Sequence, residues 1–449
     1  MLKFKEEPLI SVGILSEEKI DFELYGEFKS EGFSKVFSGK FSAEYLDNKI
    51  ICKYGDEKLQ ISDEIQFKPT DADDSFLVRN VTIGAKFHWE RQENQRFSGI
   101  LKLIKDKNKI ILINILPIEI YLMSVISSEM SSRSSINLLK AHAIVSRSWV
   151  LAQITKSKEQ KINGPEKKDF VESEDEIIRW YDREDHELYN VCADDHCQRY
   201  QGITKIQTGA AKKAIDETRG IVLTFADNIC DTRYSKSCGG ISESYEKIWE
   251  NKKHPYLSSI IDYKYEPENY NLDFSMERNA ERWIKENPPA FCNTHDKRIL
   301  SQVLMDYDQE TTDFFRWRIE YTQKEISELI EKNMRIDLGD ILDLTSLERG
   351  HSARIVRLKI TGSKRQIVIG KELEIRKALS NTHLYSSAIF IEKSEIKDGV
   401  PQKFVIYGAG WGHGAGLCQI GAAVMAEQGY LFDEILSHYF KGAGLKKIY

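Results

Sequence analysis

The feature that most constrains this chain is the pattern of its first hundred residues. Short apolar stretches, Leu9–Leu15, Ile20–Leu24, Lys49–Lys53 and Phe76–Ile83, are cut apart by Gly, Asp and Asn turn signals. None is long enough for a packed helix, so residues 1–96 are expected to form a small β-rich domain. Residues 97–116 read as a hairpin turning at Lys105–Lys109. At Ile118 the pattern changes. Ile118 to Leu122 opens a short helix that runs into Ser127-Ser128-Glu129-Met130. Ser134 or Ser135 can cap a second helix, with Ile136, Leu139, Ala143, Arg147 and Val150 on one face.

Further along, residues 155–190 are polar and read as an irregular excursion. A helix at Ala210–Glu217 leads into a strand at Ile221–Phe225. Residues 274–335 carry helix signals and isolated tryptophans, Trp283 and Trp317, and read as a helical insertion. Strands are expected at 353–361 and 366–369, and helices at Glu372–Ala378, Gln419–Gln428 and Phe432–Tyr439. A Gly-rich turn spans 408–416. The expected class is α+β: an N-terminal β-rich domain over 1–96, then an α+β catalytic domain over 97–449 interrupted at about 274–335.

Composition narrows the function. With 41% hydrophobic and 30% charged residues the chain is an ordinary globular one. Its 64 basic and 70 acidic residues leave a net charge of -6, so no basic excess calls for nucleic acid. No apolar run reaches the ~18 residues of a membrane span. The start, Met1-Leu2-Lys3-Phe4-Lys5-Glu6-Glu7-Pro8, lacks the apolar core of a secretory leader. Either the protein works in the cytoplasm or the chain is a mature or trimmed form.

Four blocks in fixed order resemble the stage II sporulation protein D and amidase-enhancer (SpoIID/LytB) family. The first is Leu116-Pro117-Ile118-Glu119-Ile120-Tyr121 through Ser127-Ser128-Glu129-Met130 and on to Lys140-Ala141-His142-Ala143 and Ser146-Arg147-Ser148-Trp149. The second is Gln198-Arg199-Tyr200-Gln201-Gly202. The third runs from Thr218-Arg219-Gly220 to Tyr234-Ser235-Lys236-Ser237-Cys238-Gly239-Gly240. The fourth is Gly410-Trp411-Gly412-His413-Gly414-Ala415-Gly416-Leu417-Cys418-Gln419. Cys238 and Cys418 stand where the family usually has Ser or Thr; either small side chains are tolerated there or the two thiols meet in the fold.

The resemblance implies action on peptidoglycan glycan strands outside the cytoplasm, as a lytic transglycosylase with Glu129 as acid and then base. Cleaving a glycosidic bond needs a proton donor at the leaving oxygen, a role that carboxyl groups fill. Read locally, Glu129 is an ordinary helix-associated acid; the resemblance is what raises it. In a transglycosylase the sugar's C6 hydroxyl attacks, giving a 1,6-anhydro end, so no second carboxylate is required. Glu119 is the nearest other acid and reads as structural. The alternative is a non-catalytic, glycan-binding enhancer of a cell-wall amidase.

Arg147, Tyr234, Ser237, Gly239, Gly240, His413 and Gln419 are the expected substrate-binding residues. For Arg147 a buried ion pair is the competing reading. The glycine runs permit close backbone approach, and Tyr234 and Trp411 offer aromatic platforms. His186, Cys192, His196 and Cys197 supply two imidazoles and two thiols, a set that suits Zn²⁺; a Cys192–Cys197 disulfide is the other reading. Cys230 and Cys292 are a second conceivable disulfide, and Cys52 reads as a buried free thiol.

Overall fold

The computed structural model describes all residues except 1–3, 85–89, 132–133, 164–169, 181–185, 195, 207–208 and 305–310. Parts of the charged excursion expected at 155–190 therefore lie outside the described residues. The remainder is a mixed α+β structure with several sheets, 26% helix and 38% strand.

The first ten strands are β1 (Leu9–Glu17), β2 (Lys19–Lys29), β3 (Val36–Leu46), β4 (Lys49–Tyr54), β5 (Glu57–Ile61), β6 (Glu64–Pro69), β7 (Ser75–Ile83), β8 (Arg91–Ser98), β9 (Ile100–Asp106) and β10 (Lys109–Pro117). Alternating residues of β2 turn inward, placing Phe22 and Leu24 in the core. There Phe22, Phe37, Phe41 and Phe67 pack ring against ring at centroid distances of 5.0–6.0 Å. The β3–β4 connection is two residues, Asp47 and Asn48, both at positive φ (49° and 60°). Two left-handed residues match the twist of a tight hairpin, and Asp and Asn tolerate that backbone. The hairpin at 97–116 was expected to begin a separate unit. Instead β10 pairs antiparallel with β1 and β9 with β6, so the boundary expected at 96/97 falls inside one continuous sheet.

Next come α1 (Ile118–Glu129), α2 (Ile136–Asn163), β11 (Val171–Glu172), β12 (Glu176–Ile178), β13 (Val191–Cys192), α3 (Gly209–Glu217), β14 (Ile221–Phe225), β15 (Asn228–Ile229), β16 (Tyr234–Ser235) and α4 (Tyr245–Ile248). Pro117 stands at the start of α1 and extended Met130 ends it. Nine of the twelve α1 residues are buried, which marks a core helix rather than a surface one. Ser135 caps α2 by accepting from the Leu138 amide at 3.3 Å. The expected irregular stretch after 155 is more ordered than its polarity suggested: α2 runs to Asn163, and β12 joins a sheet formed later in the chain.

The last part holds α5 (Glu277–Lys285), α6 (Lys297–Val303), β17 (Arg316–Thr322), α7 (Gln323–Met334), β18 (Ile341–Arg349), β19 (Ile355–Gly362), β20 (Gln366–Gly370), α8 (Glu372–Ala378), β21 (Ile389–Lys397), β22 (Val400–Ala409), β23 (Leu417–Cys418), α9 (Gln419–Glu427), α10 (Phe432–Tyr439) and β24 (Gly444–Lys447). The expected helical insertion is only partly helical, because β17 pairs along its whole length with β22. Strands β17, β22 and β21 form one sheet, and β12, β20, β19 and β18 belong to another. These two sheets share a core of Trp317, Ile326, Leu358, Ile360 and Phe404, separate from the core under α1 and α2.

One buried ion pair joins α1 to α2. Arg147 Nε and Nη2 donate to the two carboxyl oxygens of Glu119 at 3.0 and 2.6 Å, and Nη1 donates to the Ile221 carbonyl at 3.0 Å. Arg147 is wholly buried and Glu119 is 3% exposed. Gly220 N–H and the Tyr449 hydroxyl also donate to Glu119. Of the two readings of Arg147, the geometry is that of the ion pair: the guanidinium is wholly buried and all three of its nitrogens bond Glu119 or Ile221. Removing one partner strands a charge in the interior. Glu119→Ala is expected to cost about 3–5 kcal/mol, read as a lowered urea midpoint. Glu119→Leu combined with Arg147→Met should recover most of that loss; a double variant as unstable as Glu119→Ala would show that the pair is not the cause.

Candidate functional site

Glu129 is the last residue of α1 and is 8% exposed. Its Oε1 accepts from the Arg199 amide at 3.2 Å and from the Tyr234 hydroxyl at 3.3 Å. Two donors on one oxygen fix the carboxyl plane. They come from two different segments, and each segment is anchored. The stretch Gln198–Gln201 lies under α1: the Tyr121 hydroxyl donates to Gln198 Oε1, Tyr200 donates to Asn114 Oδ1 at 2.6 Å, and Gln201 N–H donates to Ser124 Oγ. Tyr234 belongs to β16, which pairs in parallel with β23, Tyr234 opposite Leu417.

His142, a helix residue whose sequence context marks no role for it, completes this group. Its ring packs edge-on to Tyr234 at 4.7 Å. Its Nδ1 lies 3.4 Å from Ser146 Oγ, and its Nε2 lies 3.4 Å from Gln419 Nε2. His142 is fully buried, and that burial pushes its imidazole down to about 4, with Glu129 opposing the shift and Lys236 adding to it. It is therefore a neutral ring at neutral pH that positions Tyr234 and Gln419.

Glu119 stands ten residues before Glu129 on the same helix. At 1.5 Å per residue the two backbones are about 15 Å apart, and Glu119 is consumed by Arg147. It cannot partner Glu129 across a scissile bond.

The other expected substrate residues divide by burial. Tyr234 and His413 are half-buried and keep some surface. Ser237 and Gln419 are buried at 0 and 2% exposure, and Gln419 serves through His142 rather than by lining an opening. Gly239 and Gly240 are also buried. Their backbone freedom serves packing within the chain: a Cβ on Gly239 would lie 2.9 Å from Ala409 and Gly410, so this turn is closed by protein and presents no flat surface to a sugar. The Gly408–Gly416 run behaves alike. Gly414, at φ 80°, wraps the buried guanidinium of Arg354, which a Cβ would meet at 2.3 Å. His413 packs on Trp249 at 4.9 Å and accepts from Ala415 N–H through Nδ1. Burial, with Arg233, Arg354 and Arg376 nearby, pushes it down to about 3. Trp411 stacks on Tyr385 at 3.9 Å.

His186, Cys192, His196 and Cys197 do come together, with one donor atom of each within 4.8 Å of the others. Cys197 Sγ lies 3.5 Å from His186 Nε2 and 3.6 Å from His196 Nδ1, and Cys192 Sγ lies 3.8 Å from the same His196 nitrogen. Both thiols are free. Cys197 and the two imidazoles favour the thiolate of Cys192 against its burial. Two nitrogens and two sulfurs at these spacings could hold one metal ion. The loop is positioned by β13, which pairs with β1, and Gly13 leaves room for Tyr189 to lie across that strand. Tyr200 N–H donates back to Ala193, so the His/Cys loop leads directly into the segment that orients Glu129. Cys52 is buried and free, as expected. Cys230 and Cys292 are both free and form no bridge; Cys292 instead lies 3.7 Å from Cys238, sulfur to sulfur.

Comparison with known proteins adds to this geometry. Residues 106–225 match the Stage II sporulation protein (SpoIID) family, and residues 243–416 match a domain of unknown function (DUF8618). The chain is 25% identical over 248 residues to the amidase enhancer of Bacillus subtilis, a match covering 52% of this chain and 32% of that protein. The chain thus spans about a third of that relative. It is 22% identical over 332 residues to stage II sporulation protein D of Bacillus amyloliquefaciens, covering 74% of this chain and 75% of that protein. It is 22% identical over 349 residues to an uncharacterised protein of Brachyspira hyodysenteriae, covering 78% and 72%. Among the described residues no helix is long and apolar enough to cross a membrane.

The depressed imidazoles give a pH prediction. Unfolded, His142 takes a proton near pH 6.5; folded, only near 4. Its contribution to stability is complete above about pH 6.5 and is lost as pH falls through 4. His413 acts in the same direction. Urea midpoints should therefore fall between pH 7 and pH 4.5, and His142→Gln should flatten the slope by on the order of 2 kcal/mol. An unchanged slope in that variant would contradict a buried neutral His142.

Proposed function

The chain belongs to the SpoIID family through residues 106–225, and from that membership and the Glu129 geometry we propose that it cleaves peptidoglycan glycan strands as a lytic transglycosylase. The family ties it to the bacterial cell wall, and cell-wall glycan would be met outside the cytoplasm. The observation that supports the reading is Glu129 itself: a carboxyl at the end of α1, 8% exposed, its Oε1 held by Arg199 and Tyr234, with Glu119 about 15 Å away along the helix.

A hydrolase needs two carboxyl groups about 5–9.5 Å apart. One oriented carboxyl suits an internal transfer instead. Glu129 Oε2 carries the proton and gives it to the glycosidic oxygen as the C1–O bond breaks. The carboxylate then takes the proton of the sugar's C6 hydroxyl as that oxygen bonds to C1. The product carries a 1,6-anhydro end, no water is consumed and Glu129 is regenerated. Tyr234 and Arg199 stabilise the carboxylate between the two steps.

The donor set of His186, Cys192, His196 and Cys197 fits a zinc ion, with all four positions filled by protein and none left for a water. Such an ion would act as a staple, with His186, Cys192, His196 and Cys197 holding the loop that delivers the Arg199 amide to Glu129.

A second reading rests on the similarity to the amidase enhancer. There the same surface holds glycan and stimulates a separate cell-wall amidase. Incubating peptide-free glycan with the wild-type protein and analysing the ends by mass separates the two. Transglycosylation yields ends lighter by one water, lost by about 10²–10⁴-fold in Glu129→Gln. Tyr234→Phe should lower kcat about tenfold with KM little changed. No cleavage by the wild type, with faster turnover of an added amidase, would replace the enzyme reading by the enhancer one.

A further inference from the structure

Away from Glu129, four side chains of ligand type meet in the interior although they are scattered from residue 238 to residue 418. Cys238, Asp262, Cys292 and Cys418 are 2, 0, 1 and 0% exposed. Cys238 Sγ lies 3.7 Å from Cys292 Sγ and 3.4 Å from Asp262 Oδ2. One donor atom from each of the four lies within 4.8 Å of the rest. A tetrahedral zinc ion, with Zn–S about 2.3 Å and Zn–O about 2.0 Å, sets sulfurs about 3.8 Å apart and sulfur and oxygen about 3.5 Å apart. The Cys238–Cys292 and Cys238–Asp262 edges match these two values. A disulfide would need its sulfurs at about 2.05 Å, and all three thiols are free.

The surroundings are built for anionic ligands. Cys418 Sγ accepts from two amides, Cys238 N–H at 3.3 Å and Gly421 N–H at 3.4 Å, at the start of α9. Asp262 accepts from Cys292 N–H at 3.2 Å and from the Tyr439 hydroxyl at 2.6 Å. His438 Nε2, buried and without a hydrogen-bond partner, lies 3.8 Å from the same carboxylate. Arg354 and Arg316 bond the carbonyls of Cys238 and Gly239, bringing positive charge alongside. Gly421 has no side chain where a Cβ would lie 2.7 Å from both Asp262 oxygens, so α9 can approach. Outer groups that hold the ligands in place are what a metal centre requires.

We propose that Cys238, Asp262, Cys292 and Cys418 form a structural metal site that takes one soft divalent cation of the zinc class in a closed tetrahedron of three sulfurs and one oxygen. The ion ties the turn that follows β16, the segment after Ile261, the stretch between α5 and α6, and the start of α9. It thereby fixes residues from the region 243–416 to the strand that carries Tyr234. With four protein ligands it has no open position and takes no part in catalysis.

The test uses the full-length chain with Cys192→Ala and Cys197→Ala, which removes the thiols of the other cluster. Loaded with cobalt(II) without oxygen, this variant should bind one ion per chain, with thiolate-to-cobalt charge transfer and four-coordinate visible bands. Adding Cys292→Ser should weaken binding at least tenfold. A folded Cys192→Ala/Cys197→Ala protein that binds no stoichiometric cobalt, or whose anaerobically prepared cysteines 238, 292 and 418 are linked by a disulfide, overturns the proposal. If that variant fails to fold, X-ray absorption on the wild-type zinc protein decides. Two zinc ions averaging about 2.5 sulfurs each support the site, as does one zinc with three sulfurs. One zinc with two sulfurs and two nitrogens overturns it.

Discussion

The buried pair between Glu119 and Arg147 sets the geometry from which the rest follows. Burying two charges is expensive, and their attraction repays the cost only when every remaining donor and acceptor is met. Here they are met by α2, by the Ile221 carbonyl, by the Gly220 amide and by the Tyr449 hydroxyl. Three separate stretches of chain, α2, the segment Gly220–Ile221 and the end at Tyr449, are thus locked to the first turn of α1. A helix is stiff over its twelve residues, so fixing its start also fixes its end, and its end is Glu129.

A carboxyl placed this way still has to be oriented, and the chain does it with segments that have little core of their own. Arg199 follows a loop whose ordered contacts are β13, the His/Cys group and the packing of Tyr200 beneath α1. Tyr234 sits on a two-residue strand whose partner, β23, leads into Cys418. Each donor to Glu129 is therefore next to a cluster of potential metal ligands. Short strands and loops bury too little apolar surface to hold an amide or a phenol within a fraction of an ångström. Side chains that converge on one point can do so, whatever the length of the loops between them.

Much of the frame was legible in the sequence. The helix at Gln419, the strand at Ile221–Phe225, the cap at Ser135 and the short helix at Glu372–Ala378 fall where period and capping residues put them. Strand β18 and the pairing of β17 with β22 were not legible, because a strand's partners are set by packing and the partner here lies about ninety residues away. The meaning of the glycines was hidden for a related reason. A sequence shows that Gly239 and Gly414 can approach something closely; only the fold shows that the neighbours are Ala409, Gly410 and Arg354. His142 was visible as a residue and invisible as a site member, since an imidazole on a helix gives no sign of facing Tyr234.

Cysteine positions illustrate the same limit from the other side. Cys238 and Cys418 stood out as departures from the family pattern, and two unexpected thiols suggest each other as partners. Cys292 and Asp262, 54 and 24 residues further along the chain from Cys238, carried no such mark. Adding both changes the chemistry. Two thiols alone point to a disulfide or to tolerated substitution. Three thiols and a carboxyl, each buried, several braced by amides and all converging within 4.8 Å, are a donor set that one soft cation would join. With cysteine at both positions, the junction behind Tyr234 offers sulfur ligands that a single ion would hold closed.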